Sequence, residues 1–188
     1  MKKYHHGNLR ATLIDTGLEV IAEKGVRALT LREIGARAGV SRTAAYRHFS
    51  SKADLFFAIS EAGFAEFVEI LEKAKAAAPP NFTARMHAMG EAYVNFARHH
   101  PAHYEVMFQL GSQDIRHGEF AARGFAVLEE TIREGQASHE VEPGDSNRIA
   151  GLMWSVVHGV ASLRLEAFGS DFTYFCIDRS LKGIQLRP

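Results

Sequence analysis

The stretch "GVSRTAAYRHFSSK", Gly39 to Lys52, reads as a turn followed by a short helix. It carries Arg42, Arg47, His48 and Lys52, shows two aromatics and contains no acid. A helix that only covers its own core normally mixes charges on its wet side. This one is suited to meet something negative.

The charge of the chain supports that direction once it is divided. The 188 residues have a formal net charge of zero. Residues 1–52, however, hold ten Lys/Arg against four acids, and the remainder holds twelve against eighteen. A basic head on an acidic body points the head at a polyanion. Hydrophobic residues make up 46%, enough for a real core. No apolar run reaches the roughly 18 to 20 residues that cross a bilayer, so no membrane partner is expected. One cysteine, Cys176, cannot form an internal disulfide. The start "MKKYHHGNLR" lacks the apolar stretch of a secretory signal. A cytoplasmic location is expected.

Nearly everything reads as helix, about nine in all. Prolines stand at 79, 80, 101, 143 and 188 only, each at a joint or an end. The first helix is expected from an Asn8 cap to Lys24, with Leu13, Gly17, Val20 and Ile21 on one face and Gly25 as the stop. "TLRE" opens the second, Thr30 capping and Glu33 reaching back. Gly39 ends it and Ser41 caps the third. A fourth helix is expected over 51–77, with Phe56, Ile59, Gly63, Phe67 and Ile70 in register. A fifth, over 84–99, aligns Met86, Met89, Tyr93 and Phe96. A short sixth after Pro101 holds Tyr104, Met107 and Phe108. The seventh covers 119–134, the eighth 146–168 and the ninth 171–186.

Helices two and three with the turn between them make a helix–turn–helix. Ile34, Ala38, Val40 and Ala45 can close its small core, and Tyr46 and Phe49 can anchor the end of helix three. Arg42, Thr43, Ala44, Arg47 and His48 then face outward. A helix of that size fits the DNA major groove.

"LIDTGLEVIAEKGVRALTLREIGARAGVSRTAAYRHFSSKADLF" resembles the DNA-binding region of the tetracycline-repressor (TetR) family of bacterial transcriptional regulators. The marks are Gly25, Thr30, Ile34, the Ala38–Ser41 turn, Tyr46, His48-Phe49, Lys52 and Leu55. "YHHGNLR" and "WSVVHGV" resemble a subgroup with a Trp-x-x-x-His-Gly carboxy-terminal signature. Two departures, Ala45 in place of a larger aliphatic residue and Gly35 in place of alanine, thin the packing.

The resemblance implies an all-α fold, with a DNA-binding domain over 1–52 and a helical ligand-binding and dimerisation domain over 53–188. It implies base-facing roles for Thr43, Ala44 and Arg47, with Arg42 as a further candidate. It implies phosphate contacts from Tyr46, His48 and Lys52. Tyr46 can instead serve core packing, and His48 a solvated face. Lys2 and Lys3 can add contacts or form a loose tail. The function implied is that of a ligand-responsive repressor on a palindromic operator in double-stranded DNA; an architectural DNA-binding protein is the alternative.

A single short recognition helix seldom binds tightly, so a two-fold dimer is expected. Helix eight carries two apolar stripes, one of Ile149, Leu152, Val156, Val160 and Leu163 and one of Trp154, His158, Ala161 and Leu165. Helix nine sets Phe172, Phe175, Cys176 and Leu186 against Tyr174, Ile177, Leu181 and Ile184. One face serves the core and the other a partner copy, with the choice left open. Tyr93, Phe96, Tyr104, Met107, Phe108, Phe120 and Phe125 suit either a packed core or a pocket for a small apolar or aromatic effector. The resemblance favours the pocket and adds Trp154 and His158, each of which can equally be structural.

"HHPAH", His99 to His103, gives no metal cage and no cysteine accompanies it, so no metal is assigned. No cofactor is expected. No nucleophile elbow, phosphate loop or H-E-x-x-H motif is present, so no enzyme is assigned.

Overall fold

A computed structural model of the chain describes residues 9–109, 119–169 and 171–186. Among them the secondary structure is helical, joined by one isolated antiparallel bridge between Val141 and Gln185. The expected cap Asn8 and the residues Lys2 and Lys3 lie outside the described residues. So does the side chain of Phe120. The chain divides into two compact units. Among described residues the first comprises 9–63 and 101–109, and the second 64–100 with 119–186.

The first unit opens with α1, Leu9–Lys24, which buries Leu13, Ile14, Gly17, Val20 and Ile21. Gly25 follows at φ 77°, a left-handed conformation that glycine takes without side-chain strain. Helix α2, Leu31–Arg37, is capped by the Thr30 hydroxyl, which accepts from the Glu33 amide at 3.0 Å. The reciprocal half of the capping box is replaced. Glu33 turns to the Lys24 ammonium at 2.7 Å, because an ion pair is available there. Arg37 pairs with Glu23 at 2.6 Å, so α1 and α2 are tied at two points. Gly39 at φ 69° turns the chain out of α2, and Val40 N–H donates to the Gly35 carbonyl at 2.9 Å. Ser41 caps α3, Arg42–His48, by accepting from the Ala44 amide at 3.2 Å.

This unit closes on Leu13, Ile21, Leu29, Ile34, Ala45 and Phe49, with Leu55, Ile59 and Val106 beside them. Gly35 is buried at the crossing of α2 and α3. A β-carbon built there would stand 3.4 Å from the Ala45 methyl, so two small residues set the α2–α3 spacing.

Helix α4, Lys52–Ala77, supplies residues to both units. Its buried stripe is Leu55, Ile59, Phe67 and Leu71, flanked by Phe64 and Val68. The middle of the expected stripe, Ile59, Gly63 and Phe67, is buried, and only its two ends are corrected. Phe56 and Ile70 are only half-buried, and the Lys52 ammonium lies over the Phe56 ring at 5.2 Å. Helix α6, Pro101–Tyr104, runs into a π-turn over Glu105–Gln109.

The second unit is built from α5 (Phe82–His99), α7 (Glu119–Ala137), α8 (Ser146–Leu163) and α9 (Phe172–Leu181), with the second half of α4. Asn81 starts α5 earlier than expected by accepting from Ala84 N–H at 2.8 Å. Asp145 caps α8 through two amides. Helix α8 stops five residues short of the expected end, because Arg164 adopts a left-handed conformation and a 3-10 turn follows. Phe67 sits among Tyr93, Phe96 and Trp154 in edge-on packing, with ring centres 5.0 to 6.2 Å away.

Candidate DNA-reading face, exposed helical face and body cavity

Three features among the described residues gather the candidate functional side chains. The first is the outer surface of α3. Arg42, Thr43, Arg47 and His48 are exposed, Ala44 is half-buried, and Lys52 is exposed at the start of α4. The inner side is filled by Ala45 and Phe49, both essentially inaccessible. Tyr46 departs from its expected anchoring role. It is 43% exposed, and the Arg42 guanidinium lies over its ring at 5.3 Å. Phe49 alone anchors that end, beneath the Arg10 guanidinium at 5.3 Å.

The electrostatics of this surface follow from the pairing. Lys24 and Arg37 are occupied by acids of α1 and α2. Among the described residues Arg42, Arg47 and Lys52 have no carboxylate partner. A side of one helix turn therefore keeps its positive charge unneutralised. Ser51 accepts from the Asp54 amide and Asp54 accepts from Ser50, which fixes the turn leading into α4. Arg10, Ser50 and Ser51 were not singled out from the sequence; only contiguity with α3 in space marks them.

The second feature is on α8 and α9. Ala150, Met153, Val157, Val160 and Ala161 face inward on α8. Leu152 and Leu163 face out, the latter 69% exposed, with Val156 half-buried between them. Of the first stripe read from the sequence, Val160 alone turns to the core. On α9, Ile177 and Leu181 are buried and Phe175 is exposed. Tyr174 parts from the stripe it was assigned to: it is half exposed, its ring stacked on His87 at 3.9 Å. Phe168, Phe172 and Phe175 lie side by side in stacked steps of 5.0 and 6.2 Å. Gly151 and Gly159 on α8 face open space, where a β-carbon would meet nothing within 4 Å.

The third feature is a cavity within the second unit. Met86, Met89 and Met153 line it with Tyr93 and Trp154. Leu71, Leu128, Val157 and Ile177 close it, and Gly90 forms part of the wall. The space open to the centre of a water molecule is about 30 Å³, room for about one or two waters. Tyr93 Oη lies 2.7 Å from His158 Nδ1, and Ser162 Oγ 3.1 Å from His158 Nε2. Burial holds the His158 imidazole below its ordinary pKa.

The sequence candidates for a pocket are distributed between the units. Tyr93 and Trp154 line the cavity, His158 bonds to Tyr93, and Phe125 packs on Trp154 at 5.9 Å. Phe96 is buried against Phe67 and stacks on His100 at 4.8 Å. Tyr104, Met107 and Phe108 belong to the first unit, where the Met107 sulfur packs on Gly63. Of the cavity methionines, the sequence places Met86 and Met89 on the stripe of the fifth helix without marking them as pocket residues and does not single out Met153, because Met on a buried stripe is indistinguishable from core.

Among the described residues no helix is long and apolar enough to cross a membrane. Residues 13–59 match the family model described as bacterial regulatory proteins, tetR family. Residues 86–174 match the model of the tetracyclin repressor-like C-terminal domain. The transcriptional activator FasR of Mycolicibacterium smegmatis is 32% identical over 100 residues, 53% of this chain and 45% of FasR. The transcriptional regulator AcrR of Shigella flexneri is 42% identical over 52 residues, 28% of this chain and 24% of AcrR. The match thus spans less than half the length of either relative. A protein of unknown function from Rhodococcus sp. RHA1 superposes with TM-score 0.85 at 28% identity, over 99% of this chain and all of that one. A tetR-family regulatory protein from Rhodococcus RHA1 shares the fold, with TM-score 0.74 at 23% identity over 95% and 98% of the two chains. The matched families and curated relatives are transcription regulators.

Proposed function

Since the chain belongs to the TetR family of bacterial regulatory proteins, we propose that it is an effector-responsive repressor that binds a palindromic DNA operator as a homodimer. The observation that carries this reading is the exposed, acid-free outer side of α3. Arg47 and Arg42 reach base edges, with Thr43 and Ala44 close to the groove floor. Tyr46, His48 and Lys52 hold phosphates and fix the register of the helix. The tyrosine's exposure supports this role over core packing.

The dimer reading rests on the outer face of α8 and α9. Leu152 and Leu163 on α8, Phe175 on α9, and Phe168 and Leu186 beside its two ends are all at least 45% exposed, large apolar side chains whose exposure water disfavours. Gly151 and Gly159 need no small size within their own chain, but they let a second backbone come close. A two-fold interface pairs the same face from each copy and sets two α3 helices for two half-sites.

The effector reading rests on the cavity. Its space in this conformation is too small for an organic effector, so a ligand selects or creates a wider one. α4 contributes Phe67 and Leu71 to the body and Leu55 and Ile59 to the head unit. A ligand that moves the body end of α4 thereby lowers DNA affinity, provided it prefers the incompetent arrangement. Such a regulator acts in the bacterial cytoplasm.

The test is a gene deletion with transcript measurement beside the chain's own selected operator. Rising transcripts from the adjoining genes support repression. Falling transcripts give the opposite sign, the one carried in the name of the FasR relative.

A further inference from the structure

We infer that Tyr46 is a positioning residue whose ring holds the Arg42 guanidinium for bidentate reading of one guanine in each half-site, while its hydroxyl takes a phosphate. The inference rests on the DNA reading above and couples two contacts that were separate there.

Arg42 is the first residue of α3, and Tyr46 stands one turn further on. Residues four apart share a helix face, and long helical side chains lean toward the amino terminus. The Tyr46 ring accordingly leans back to Arg42, whose guanidinium lies over it at 5.3 Å. At that distance the negative face of a ring attracts a cation. The amino-terminal residues of a recognition helix are the ones that meet base edges. The side chain that is held is thus the one best placed to read.

Two other cations of the first unit lie over rings, and the comparison sets this pair apart. Arg10 covers Phe49, which is 1% exposed, and Lys52 lies over the half-buried Phe56. Both cations close the wet edge of the apolar core to which those rings belong. The Tyr46 ring is 43% exposed, so a cation over it shields no core. What the stack does change is the freedom of Arg42. An exposed arginine spreads over many rotamers, and docking on a base has to remove that freedom. A ring under the guanidinium removes part of it beforehand and leaves the N–H edge open to guanine O6 and N7. The tyrosine hydroxyl, donating to a phosphate, then ties the reader to the backbone of the same half-site.

The full chain is bound to its selected operator, to operators with each base pair of the half-sites replaced in turn, and to scrambled DNA. Wild type is compared with Arg42→Ala, Tyr46→Phe, Tyr46→Leu and the Arg42→Ala/Tyr46→Leu double variant. The base pair at which Arg42→Ala loses discrimination should be G·C, preferred by the wild type about fivefold to a hundredfold. Tyr46→Phe keeps the ring, so it should keep that preference while weakening operator and scrambled DNA alike, by about threefold to tenfold per half-site. Tyr46→Leu should also lower the preference itself by about twofold to tenfold, at that base pair alone. It should lower it no further once Arg42 is alanine. A ring that only steadied α3 would reduce the urea midpoint of Tyr46→Leu and weaken all DNAs in proportion. An unchanged preference in that variant therefore overturns the inference. Equal loss on every DNA for Arg42→Ala overturns it too, by making Arg42 a phosphate contact, and leaves the DNA reading standing on Arg47. If no variant, Arg47→Ala included, alters binding to any of these DNAs, the DNA reading falls as well.

Discussion

The Ala45 methyl lies 3.4 Å from the point where a β-carbon on Gly35 would stand, at the crossing of α2 and α3. That separation is ordinary van der Waals contact. The head therefore tolerates a methyl at 35, although its sequence omits one. Glycine inside a helix costs roughly 0.5–1 kcal/mol relative to alanine through backbone entropy. Gly35→Ala is expected to stabilise the chain by about that amount, read as a higher urea midpoint with unchanged slope. Gly39→Ala is expected to do the reverse by about 1 kcal/mol, since φ 69° strains any side chain. A destabilised Gly35→Ala would show that the α2–α3 contact cannot give at all.

Arg47 and Lys52 are expected to fail differently when removed. Arg47→Ala should cost about 1–3 kcal/mol of discrimination at one base position of each half-site, leaving non-specific binding little changed. Lys52→Ala should weaken every sequence alike and reduce the slope of log affinity against log salt by about one per half-site. Binding isotherms at several salt concentrations, on the operator and on scrambled DNA, separate the two. Equal loss on both DNAs for Arg47→Ala would remove its base-reading role.

Leu163 and Phe175 sit on the outward side of α8 and α9. Changing an exposed residue costs a folded subunit within about 0.5 kcal/mol. Leu163→Glu or Phe175→Glu should therefore leave the helical content intact while raising the dimer dissociation constant by roughly tenfold or more, because a carboxylate must be desolvated on pairing. Sedimentation velocity over a concentration series measures this. An unchanged dimer would place the interface on another surface.

His87 is 8% exposed, and its ring nitrogens have no hydrogen-bond partner among the described residues. Burial depresses its pKa, against the pull of the Asp178 and Glu91 carboxylates. The unfolded chain takes up a proton near pH 6.5 that the folded ring resists. Stability from this group is accordingly level above that pH and falls as pH drops below it. His158, also depressed by burial, acts in the same direction. His87→Phe keeps the stacking on Tyr174 and should flatten part of the decline between pH 7 and pH 5, followed by urea unfolding at each pH. An identical slope in the variant would mean that the folded ring protonates freely.

How much of this was legible in the sequence depended on how far each cause reaches along the chain. The turn between α2 and α3 was legible because Gly39, Ser41 and Thr30 act on neighbours within a few residues. The partner of Glu33 was not, because Lys24 reaches it only after α1 and α2 have packed. The outward stripe of α8 could be narrowed to two. Choosing between them required knowing where α5, α7 and α9 lie, and Val160 then went to the core against its stripe. The α4 stripe held at Ile59, Gly63 and Phe67 and failed at its ends: on a helix apolar over most of its girth the neighbours decide which flanking residue is covered, which left Phe56 under Lys52. The aromatic set expected to gather in one pocket was separated by the fold, Tyr104 and Phe108 going with the first unit and Tyr93 and Trp154 with the second. Aromatic composition signals burial but gives no address.

Two α3 helices on one symmetric duplex are the centre of the account, and selection from random DNA followed by a count of chains per duplex tests it directly. The expected result is enrichment of an inverted repeat with half-site centres about 34 Å or a small multiple apart, bound by an even number of chains and released as salt rises. Enrichment of a lone half-site bound by one chain, or no enrichment at low salt, would contradict it.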